Sequence, residues 1–90
     1  MYFVYLLVSE RDKGWYIGYT GVSPDHRLML HNSGQVTSTK GRTPLKLIYY
    51  EAYTEQADAK GREVFLKSGA GRRFLKKQLT HYLATTTPHP

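Results

Sequence analysis

The chain contains no cysteine among its 90 residues. This absence excludes disulfide bonds, thiolate zinc sites and a cysteine nucleophile, and it is compatible with a cytoplasmic location. Long hydrophobic runs are missing as well. No apolar segment is long enough to cross a bilayer, and residues 2–8 lack the basic start of a secretory signal. We therefore predict one soluble cytoplasmic domain with no membrane partner.

Acidic residues are scarce. Asp and Glu number 7 against 13 Lys and Arg, which gives a formal net charge of +6. A small domain with such an excess of basic residues is typical of proteins that bind polyanions, although many soluble proteins are basic without a specific partner. The positions of the basic residues therefore carry more information than their total.

Two segments rich in aromatic and β-branched residues predict an N-terminal β-hairpin. Residues 2–8 are apolar throughout, which is typical of a central strand that is buried on both faces. Residues 15–20 form the second strand. The polar residues 9–14 between them end in a glycine, which suits a turn.

The second strand places its tyrosines on opposite faces. Tyr16 and Gly18 share one face by alternation, Tyr19 lies on the other, and the hairpin brings Tyr5 near Tyr16. Two phenols beside a position without a side chain leave room for a ligand. The alternative is packing alone, because cross-strand tyrosine pairs also stabilise sheets.

The rest of the chain predicts three helices and one more strand. Ser23 and Thr54 are suitable N-caps for the first two helices. The expected spans are helices at 24–32, 55–67 and 71–82 and an edge strand at 45–53. The order β-β-α-β-α-α predicts an α+β domain over residues 1–83, in which helices flank a small three-stranded, mostly antiparallel sheet. Residues 84–90 are predicted to be a flexible tail.

Two further segments carry specific expectations. Residues 33–43 have almost no apolar content and are predicted to be a long polar loop. Lys40 and Arg42 within it either touch a nucleic-acid backbone as part of a mobile flap or belong to a solvated connection. One face of the second helix is predicted to pack on the sheet, and it consists of Ala57, Gly61, Val64, Phe65 and Ser68.

An ordered set of residues resembles the GIY-YIG nuclease superfamily. The likeness is to its small single-domain bacterial members, which are similar to the nuclease module of the excision-repair endonuclease. Tyr16-Ile17-Gly18 matches the second family motif in full, whereas Phe3-Val4-Tyr5 keeps only the tyrosine of the first. Arg27 and His31 match the Arg-x-x-x-His helix, and residues 62–67 match the segment that carries the acidic metal ligand. The likeness covers nearly the whole chain.

The resemblance implies a role for each of these residues. Tyr5 would be the general base, Tyr16 would bind the phosphate or the hydrolytic water, Arg27 would hold the scissile phosphate, and Glu63 would bind Mg²⁺ or Mn²⁺. A phenol has a pKa of about 10, so Tyr5 needs a cation that lowers its pKa or a partner that takes its proton. His31, with a reference pKa of about 6.5, is suited to take it.

Each role has a simpler alternative. Glu63 and Lys67 are four residues apart and can form an ordinary ion pair on a helix surface. Arg27 can pair with Asp25 or stay in solvent. His31 can be an unremarkable surface histidine.

Basic residues of the last two helices indicate a nucleic-acid surface, to which Lys60 and Arg62 also belong. Contacts of this kind bind phosphates and do not read sequence. The alternative is that these charges form only the solvated face of each helix. We predict nucleic-acid contacts from Gly18, Tyr19, Lys40, Arg42, Lys67, Arg72, Arg73, Lys76 and Lys77.

The resemblance implies a metal-dependent endonuclease in DNA repair. It would hydrolyse DNA phosphodiester bonds, select its substrate by structure rather than by sequence, and leave a 5′-phosphate and a 3′-hydroxyl. RNA stays open as a substrate. Many family members carry an asparagine after the acidic ligand, whereas the only asparagine here is Asn32. A non-catalytic nucleic-acid-binding module, and a subunit that depends on a protein partner or a homodimer, are therefore kept as alternatives.

Overall fold

Three strands and four α-helices make up residues 1–86, the part of the chain that the computed structural model describes. In chain order the elements are β1 (Tyr2–Ser9), β2 (Trp15–Thr20), α1 (Pro24–Asn32), a 3₁₀ helix (Thr37–Arg42), β3 (Leu45–Tyr53), α2 (Gln56–Lys67), α3 (Gly69–Gln78) and α4 (Thr80–Thr86). This arrangement confirms the predicted α+β fold class. None of the helices in this range is both long and apolar enough to span a membrane.

The sheet has the strand order β2-β1-β3, and β1 pairs antiparallel with both neighbours. The apolar run of β1 therefore lies in the centre of the sheet, as predicted, because only a central strand of a covered sheet is buried on both faces. Tyr5 lies opposite Gly18 on β2 and opposite Tyr50 on β3. Both edge strands have the spans that the sequence predicted.

Helices cover both faces of the sheet. On one face the core comes from β1, β2, α2 and α3 and consists of Val4, Leu6, Ile17, Ala59, Leu66 and Leu75. On the other face Tyr5, Leu7 and Leu45 are buried, and Tyr16 and Leu28 pack against them. Since Leu28 belongs to α1, the two tyrosines share the face that α1 covers, and the predicted alternation along β2 is confirmed.

Helix α1 begins and ends where the sequence predicted. The Ser23 hydroxyl accepts a hydrogen bond from the backbone N–H of His26 at 3.2 Å. After the helix, Gly34 adopts a φ of +81°, which favours glycine. The Asn32 side chain donates to the carbonyl of Leu45 at 2.9 Å and accepts from its N–H at 2.7 Å. The end of α1 is thereby tied to the start of β3.

The segment between α1 and β3 is not the long irregular loop that its composition predicted. Residues 37–42 form a 3₁₀ helix, and Thr39 within it is fully buried. The prediction was wrong because burial of this threonine depends on a partner that lies eight residues earlier, on α1. Arg42 pairs with Asp12 of the β1–β2 turn, with 2.9 Å between Nε and Oδ2.

Helix α2 differs from its prediction at its start. It begins at Gln56, and its N-cap is Glu55, whose side chain makes no capping hydrogen bond. Thr54 was therefore wrongly predicted as the cap. A threonine signals an N-cap only through its local hydrogen-bonding capacity, which does not by itself fix the residue at which the helix begins.

The buried face of α2 was also predicted wrongly. Val64 is 70% exposed and Phe65 is 38% exposed, whereas Ala59 and Leu66 are buried. Arg62 lies on the inner side because its guanidinium forms an ion pair with Glu51 of β3 at 2.8 Å. A periodicity of apolar residues cannot find an inner face that is partly made of charged side chains.

The C-terminal region forms two helices, where the sequence predicted one over 71–82. Ser68 caps α3 by accepting from the N–H of Gly71 at 3.1 Å, and Leu79 separates α3 from α4 while packing against the core. Helix α4 continues to Thr86, beyond the predicted boundary at residue 83. Residues 87–90 of the predicted tail lie outside the described residues.

Candidate active site

Tyr5 stands at the centre of the site. Its side chain is only 1% exposed, and it lies on the central strand opposite Gly18. A Cβ atom added to Gly18 would overlap Cζ and Oη of Tyr5. The missing side chain of Gly18 therefore makes room for the phenol, and its contact with nucleic acid stays a prediction.

A chain of buried hydrogen bonds begins at the Tyr5 phenol. Tyr5 Oη and His31 Nε2 are 2.9 Å apart, and His31 Nδ1 and Thr39 Oγ1 are 2.7 Å apart. His31 is fully buried. Tyr16 contacts the same imidazole edge to face, with 4.9 Å between ring centroids, and its centroid is 6.3 Å from that of Tyr5. The sequence thus correctly grouped Tyr5, Tyr16 and His31, and His31 is not a surface residue.

Neighbouring groups determine which atom is the donor in each hydrogen bond between Tyr5, His31 and Thr39. Thr39 Oγ1 donates to the carbonyl of Val36 at 3.4 Å, which leaves its lone pairs for a donor. The Arg27 guanidinium can only donate hydrogen bonds, and its donation towards the Tyr5 oxygen lowers the pKa of that phenol. We therefore assign the neutral imidazole a proton on Nδ1 that it donates to Thr39, while Nε2 accepts the phenolic proton of Tyr5.

Burial keeps both groups in their neutral forms at pH 7. Burial raises the pKa of Tyr5 above its usual value, and the nearby Arg27 guanidinium lowers it without reversing the shift. Burial also lowers the pKa of His31, and the positive charge of Arg27 adds to that effect. Activation of Tyr5 through a lowered pKa is thus disfavoured, whereas a neutral imidazole stands ready to take its proton.

Arg27 reaches this cluster from α1. Its Nε atom is buried and has no hydrogen-bond partner within the described residues. A buried N–H without a partner is costly, and this donor is left unused by the described residues. No ion pair joins Arg27 to Asp25 within residues 1–86, so the pairing offered as one simpler alternative is absent.

Glu63 lies on α2. Its negative charge contributes to the raised pKa of Tyr5, after the larger effects of burial, Arg27 and Tyr16. The carboxylate also pairs with Lys67 of the next turn at 3.1 Å, and the Glu63 side chain is 22% exposed. The ion pair that the sequence suggested as an alternative is therefore present.

The other predicted site residues fall into two groups. Lys40, Arg72, Arg73, Lys76 and Lys77 are exposed, as contacts to nucleic acid require. Tyr19 lies on the face opposite Tyr5, stacks on Tyr2, receives a hydrogen bond from Gln56 at 2.9 Å and has Lys60 Nζ 5.5 Å from its ring centroid. Arg42 and Arg62 are held by carboxylates, and Arg62 does not belong to the basic surface.

Two polar partners of residues in this region were missed by the sequence analysis. Thr39 fixes the His31 imidazole, and Glu51 of β3 holds Arg62, the residue next to Glu63 on α2. Neither lies at a recognisable spacing from its partner. Glu51 alternates with Tyr49 and Tyr53 along β3, and this carboxylate between two phenols was the only local signal that could have drawn attention to it.

A substitution at Gly18 tests the close contact with Tyr5. We expect Gly18→Ala to displace the phenol from His31 and to lower the free energy of unfolding by about 1–3 kcal/mol, because the buried ring cannot leave without disturbing its neighbours. The ¹⁵N shifts of the His31 imidazole report the lost hydrogen bond, and urea unfolding reports stability. Gly21→Ala is the control, since its added Cβ makes only ordinary contacts of 3.9 Å with Tyr2. Wild-type His31 shifts in Gly18→Ala would contradict the geometry.

Comparisons with known proteins agree with the geometry of the site. Residues 1–77 match the family described as GIY-YIG catalytic domain. A UPF0213 protein of Pediococcus acidilactici is 34% identical over 88 residues, which cover 94% of this chain and 89% of that protein. A UPF0213 protein of Streptococcus pneumoniae is 42% identical over 65 residues, 70% of this chain and 65% of that protein. A third, from Clostridium perfringens, is 35% identical over 68 residues, 74% of this chain and 71% of that protein. No solved structure matches the chain.

Proposed function

Because the chain belongs to the GIY-YIG endonuclease superfamily, whose members act on nucleic acid, we propose that it is a metal-dependent endonuclease that hydrolyses DNA. The observation that carries the proposal is the buried path from Tyr5 through His31 to Thr39, with the unpartnered Nε of Arg27 beside it. Phosphodiester hydrolysis needs a proton acceptor and a phosphate ligand next to each other, and this cluster supplies both.

The proton path gives Tyr5 its role. A water molecule attacks the phosphorus atom and loses a proton to Tyr5 Oη, while Tyr5 passes its own proton to His31 Nε2. The bond from phosphorus to the 3′ oxygen breaks, and that oxygen takes a proton from solvent. The products are a 5′-phosphate and a 3′-hydroxyl. His31, whose pKa is lowered, then readily releases its proton and restores the neutral pair.

Two cationic or polar groups hold the phosphate during this step. Arg27 donates to its oxygens through a planar guanidinium, which lysine cannot imitate. Tyr16, packed edge to face against His31, presents its hydroxyl to the phosphate or to the water. The Tyr16 ring is held by its packing against Tyr5 and His31, so it loses little freedom when the substrate binds.

Glu63 is the residue that fits a divalent cation. Within residues 1–86 no group of three or more His, Asp or Glu side chains could hold a metal ion by itself. A single carboxylate is nevertheless sufficient for Mg²⁺ or Mn²⁺ when phosphate oxygens and water complete the shell. When bound, the ion would offset the negative charge that develops on the phosphate. We propose Glu63 as its protein ligand, with Lys67 as the counterion in its absence.

The exposed basic residues supply affinity without reading sequence. Arg72, Arg73, Lys76 and Lys77 project from α3, and Lys40 projects from the 3₁₀ helix. Contacts of this kind make binding depend on salt and on the shape of the nucleic acid. We therefore propose structure-selective cleavage, a role in DNA repair and action in the cytoplasm, with RNA as the alternative substrate and a protein partner or homodimer as the alternative source of specificity.

Cleavage of a panel of DNAs tests the proposal. Labelled single-stranded, duplex, nicked, flapped and branched DNAs are incubated with Mg²⁺ or Mn²⁺, and we expect products that disappear when the metal is chelated. Glu63→Gln should reduce the rate by at least about 100-fold through loss of the metal ligand. The matched control is Glu55→Gln, which removes one exposed carboxylate from the N-terminus of the same helix.

The outcomes separate the proposal from its alternatives. Products from the wild type and from Glu55→Gln, but not from Glu63→Gln, support the endonuclease. Binding to DNA without cleavage by any variant would instead indicate a binding module. Cleavage that appears only after a cellular protein fraction is added would indicate a partner-dependent subunit.

A further inference from the structure

One carboxylate takes no part in the proposed chemistry, yet it accepts more hydrogen bonds than any other side chain among the described residues. Glu51 accepts four hydrogen bonds. Tyr49 donates to it at 2.5 Å and Tyr53 at 2.6 Å, and the Arg62 guanidinium donates through Nε at 2.8 Å and through a terminal nitrogen at 3.1 Å. The Glu51 side chain is 15% exposed and that of Arg62 is 27% exposed. Such a bidentate pair has a strongly preferred geometry.

Arg62 also contacts the two helices that cover this face. Its guanidinium carbon lies 5.1 Å from the ring centroid of Phe65 on α2 and 4.6 Å from that of Phe74 on α3. The ion pair thus connects β3, α2 and α3 through one side chain. The residue that follows Arg62 on the helix is Glu63, the proposed metal ligand.

The apolar face that α2 turns towards the sheet is small. Ala59 and Leu66 are its only buried residues, Val64 is 70% exposed, and Phe65 packs against Phe74 of α3. Apolar contacts are non-directional, so they resist a roll of the helix about its axis less sharply than directed hydrogen bonds do. A bidentate hydrogen bond to a strand resists that roll, because it constrains both distance and angle.

We propose that the Glu51–Arg62 ion pair is a positioning device that sets the rotation of α2 and thereby directs the Glu63 carboxylate towards Tyr5 and the bound phosphate. Glu51 and Arg62 touch neither the substrate nor the metal, so they are positioning residues. The inference rests on the proposed role of Glu63.

A small change in helix rotation would have a large effect at the site. A roll of roughly 20° moves the end of a side chain by about 2 Å, given the radius of a helix with its side chains. Removing the support of a metal ligand typically costs about 10–100-fold in metal affinity or activity. The loss should appear in the metal dependence and in kcat, while the KM for DNA is set by the separate basic surface.

Two variants test the positioning role of the Glu51–Arg62 ion pair. Glu51→Gln keeps the shape of the side chain and removes its charge, and Arg62→Lys keeps the charge and removes the bidentate geometry. We expect each to raise the Mg²⁺ concentration for half-maximal cleavage by about 10-fold or more and to change the KM for DNA by less than about twofold. Broadening of the amide signals around Glu63 by Mn²⁺ is a second readout that does not need cleavage, and we expect it to weaken in both variants.

A control matched for stability separates positioning from general loosening. Ser9→Ala removes two hydrogen bonds within the β1–β2 turn, at 3.1 Å each, and one of 2.6 Å to the carbonyl of Arg42, and it lies far along the chain from α2. It should lower the thermal midpoint as the two test variants do, yet keep the wild-type Mg²⁺ dependence.

The other possible results decide for or against the positioning role and the proposed endonuclease. Wild-type Mg²⁺ dependence in Glu51→Gln, or the same shift in Ser9→Ala, would overturn the positioning role while leaving the endonuclease intact. A wild type that does not cleave but shows Mn²⁺ broadening, lost in Glu51→Gln, would overturn the proposed function and support the positioning role. Neither cleavage nor broadening in the wild type would overturn both.

Discussion

Replacing Tyr5 by Phe is expected to lower the rate of DNA cleavage by about 10²–10⁴-fold, the usual contribution of a positioned general base. The substitution removes a single oxygen atom from a ring that is 1% exposed, so the packing over Gly18 persists. What disappears is the 2.9 Å hydrogen bond to His31 and with it the path for the proton of the attacking water.

Single-turnover cleavage of the preferred DNA substrate measures this effect. The matched control is Tyr50→Phe, which removes a phenolic oxygen from the residue opposite Tyr5 on β3, where the side chain is 53% exposed. Its rate should equal that of the wild type. If Tyr5→Phe also cleaves at the wild-type rate, Tyr5 is not the base and the proton path is wrong.

The pH profile of cleavage provides an independent check on His31. Its imidazole must be neutral to take the proton, and burial together with Arg27 lowers its pKa. The rate should therefore stay constant as the pH falls through about 6.5, the usual pKa of histidine, and decline only at lower pH. A decline that begins above this value would mean that another group controls the proton transfer.

Replacing Gly71 by Ala is expected to destabilise the fold by about 3 kcal/mol or more. Its added Cβ would overlap the backbone of Phe65 and Leu66, and a backbone cannot rotate out of the way as a flexible side chain can. Helices α2 and α3 meet closely only because this position lacks a side chain. In a domain this small, the loss corresponds to a fall in thermal midpoint of roughly 12 °C or more.

Gly61→Ala gives the opposite expectation and serves as the control. Gly61 lies inside α2 and is exposed, and an added Cβ meets no atom within 4 Å. Alanine loses less backbone entropy than glycine on folding, so the substitution should stabilise the protein by about 0.5–1 kcal/mol. Thermal unfolding followed by circular dichroism compares both variants with the wild type. Equal midpoints for Gly71→Ala and Gly61→Ala would contradict the close helix contact.

Several features of the fold were predictable because their causes are local. The apolar run of residues 2–8 required a central strand, and the alternation in β2 placed Tyr16 and Gly18 on one face and Tyr19 on the other. Ser23 and Gly34 supplied the boundaries of α1 through a hydrogen bond and a left-handed backbone conformation. Each of these signals depends on residues that are near neighbours in the chain.

The candidate site was predictable in its members and not in its geometry. The ordered motif residues indicated which side chains to group, and Tyr5, Tyr16 and His31 do meet. The motif could not reveal that Gly18 accommodates the Tyr5 ring. It also could not show that Thr39 holds the far side of His31.

By itself, the amino-acid sequence determined the strands, the first helix, the basic character of the chain and its family. Only the tertiary structure decided which face of α2 turns inwards, whether the segment before β3 forms a helix, and which arginines pair with a carboxylate. The reason is the same in each case. Arg62 finds Glu51, Arg42 finds Asp12 and Thr39 finds His31 only after folding, and a charged or polar side chain becomes an internal one when its partner is brought to it across the fold.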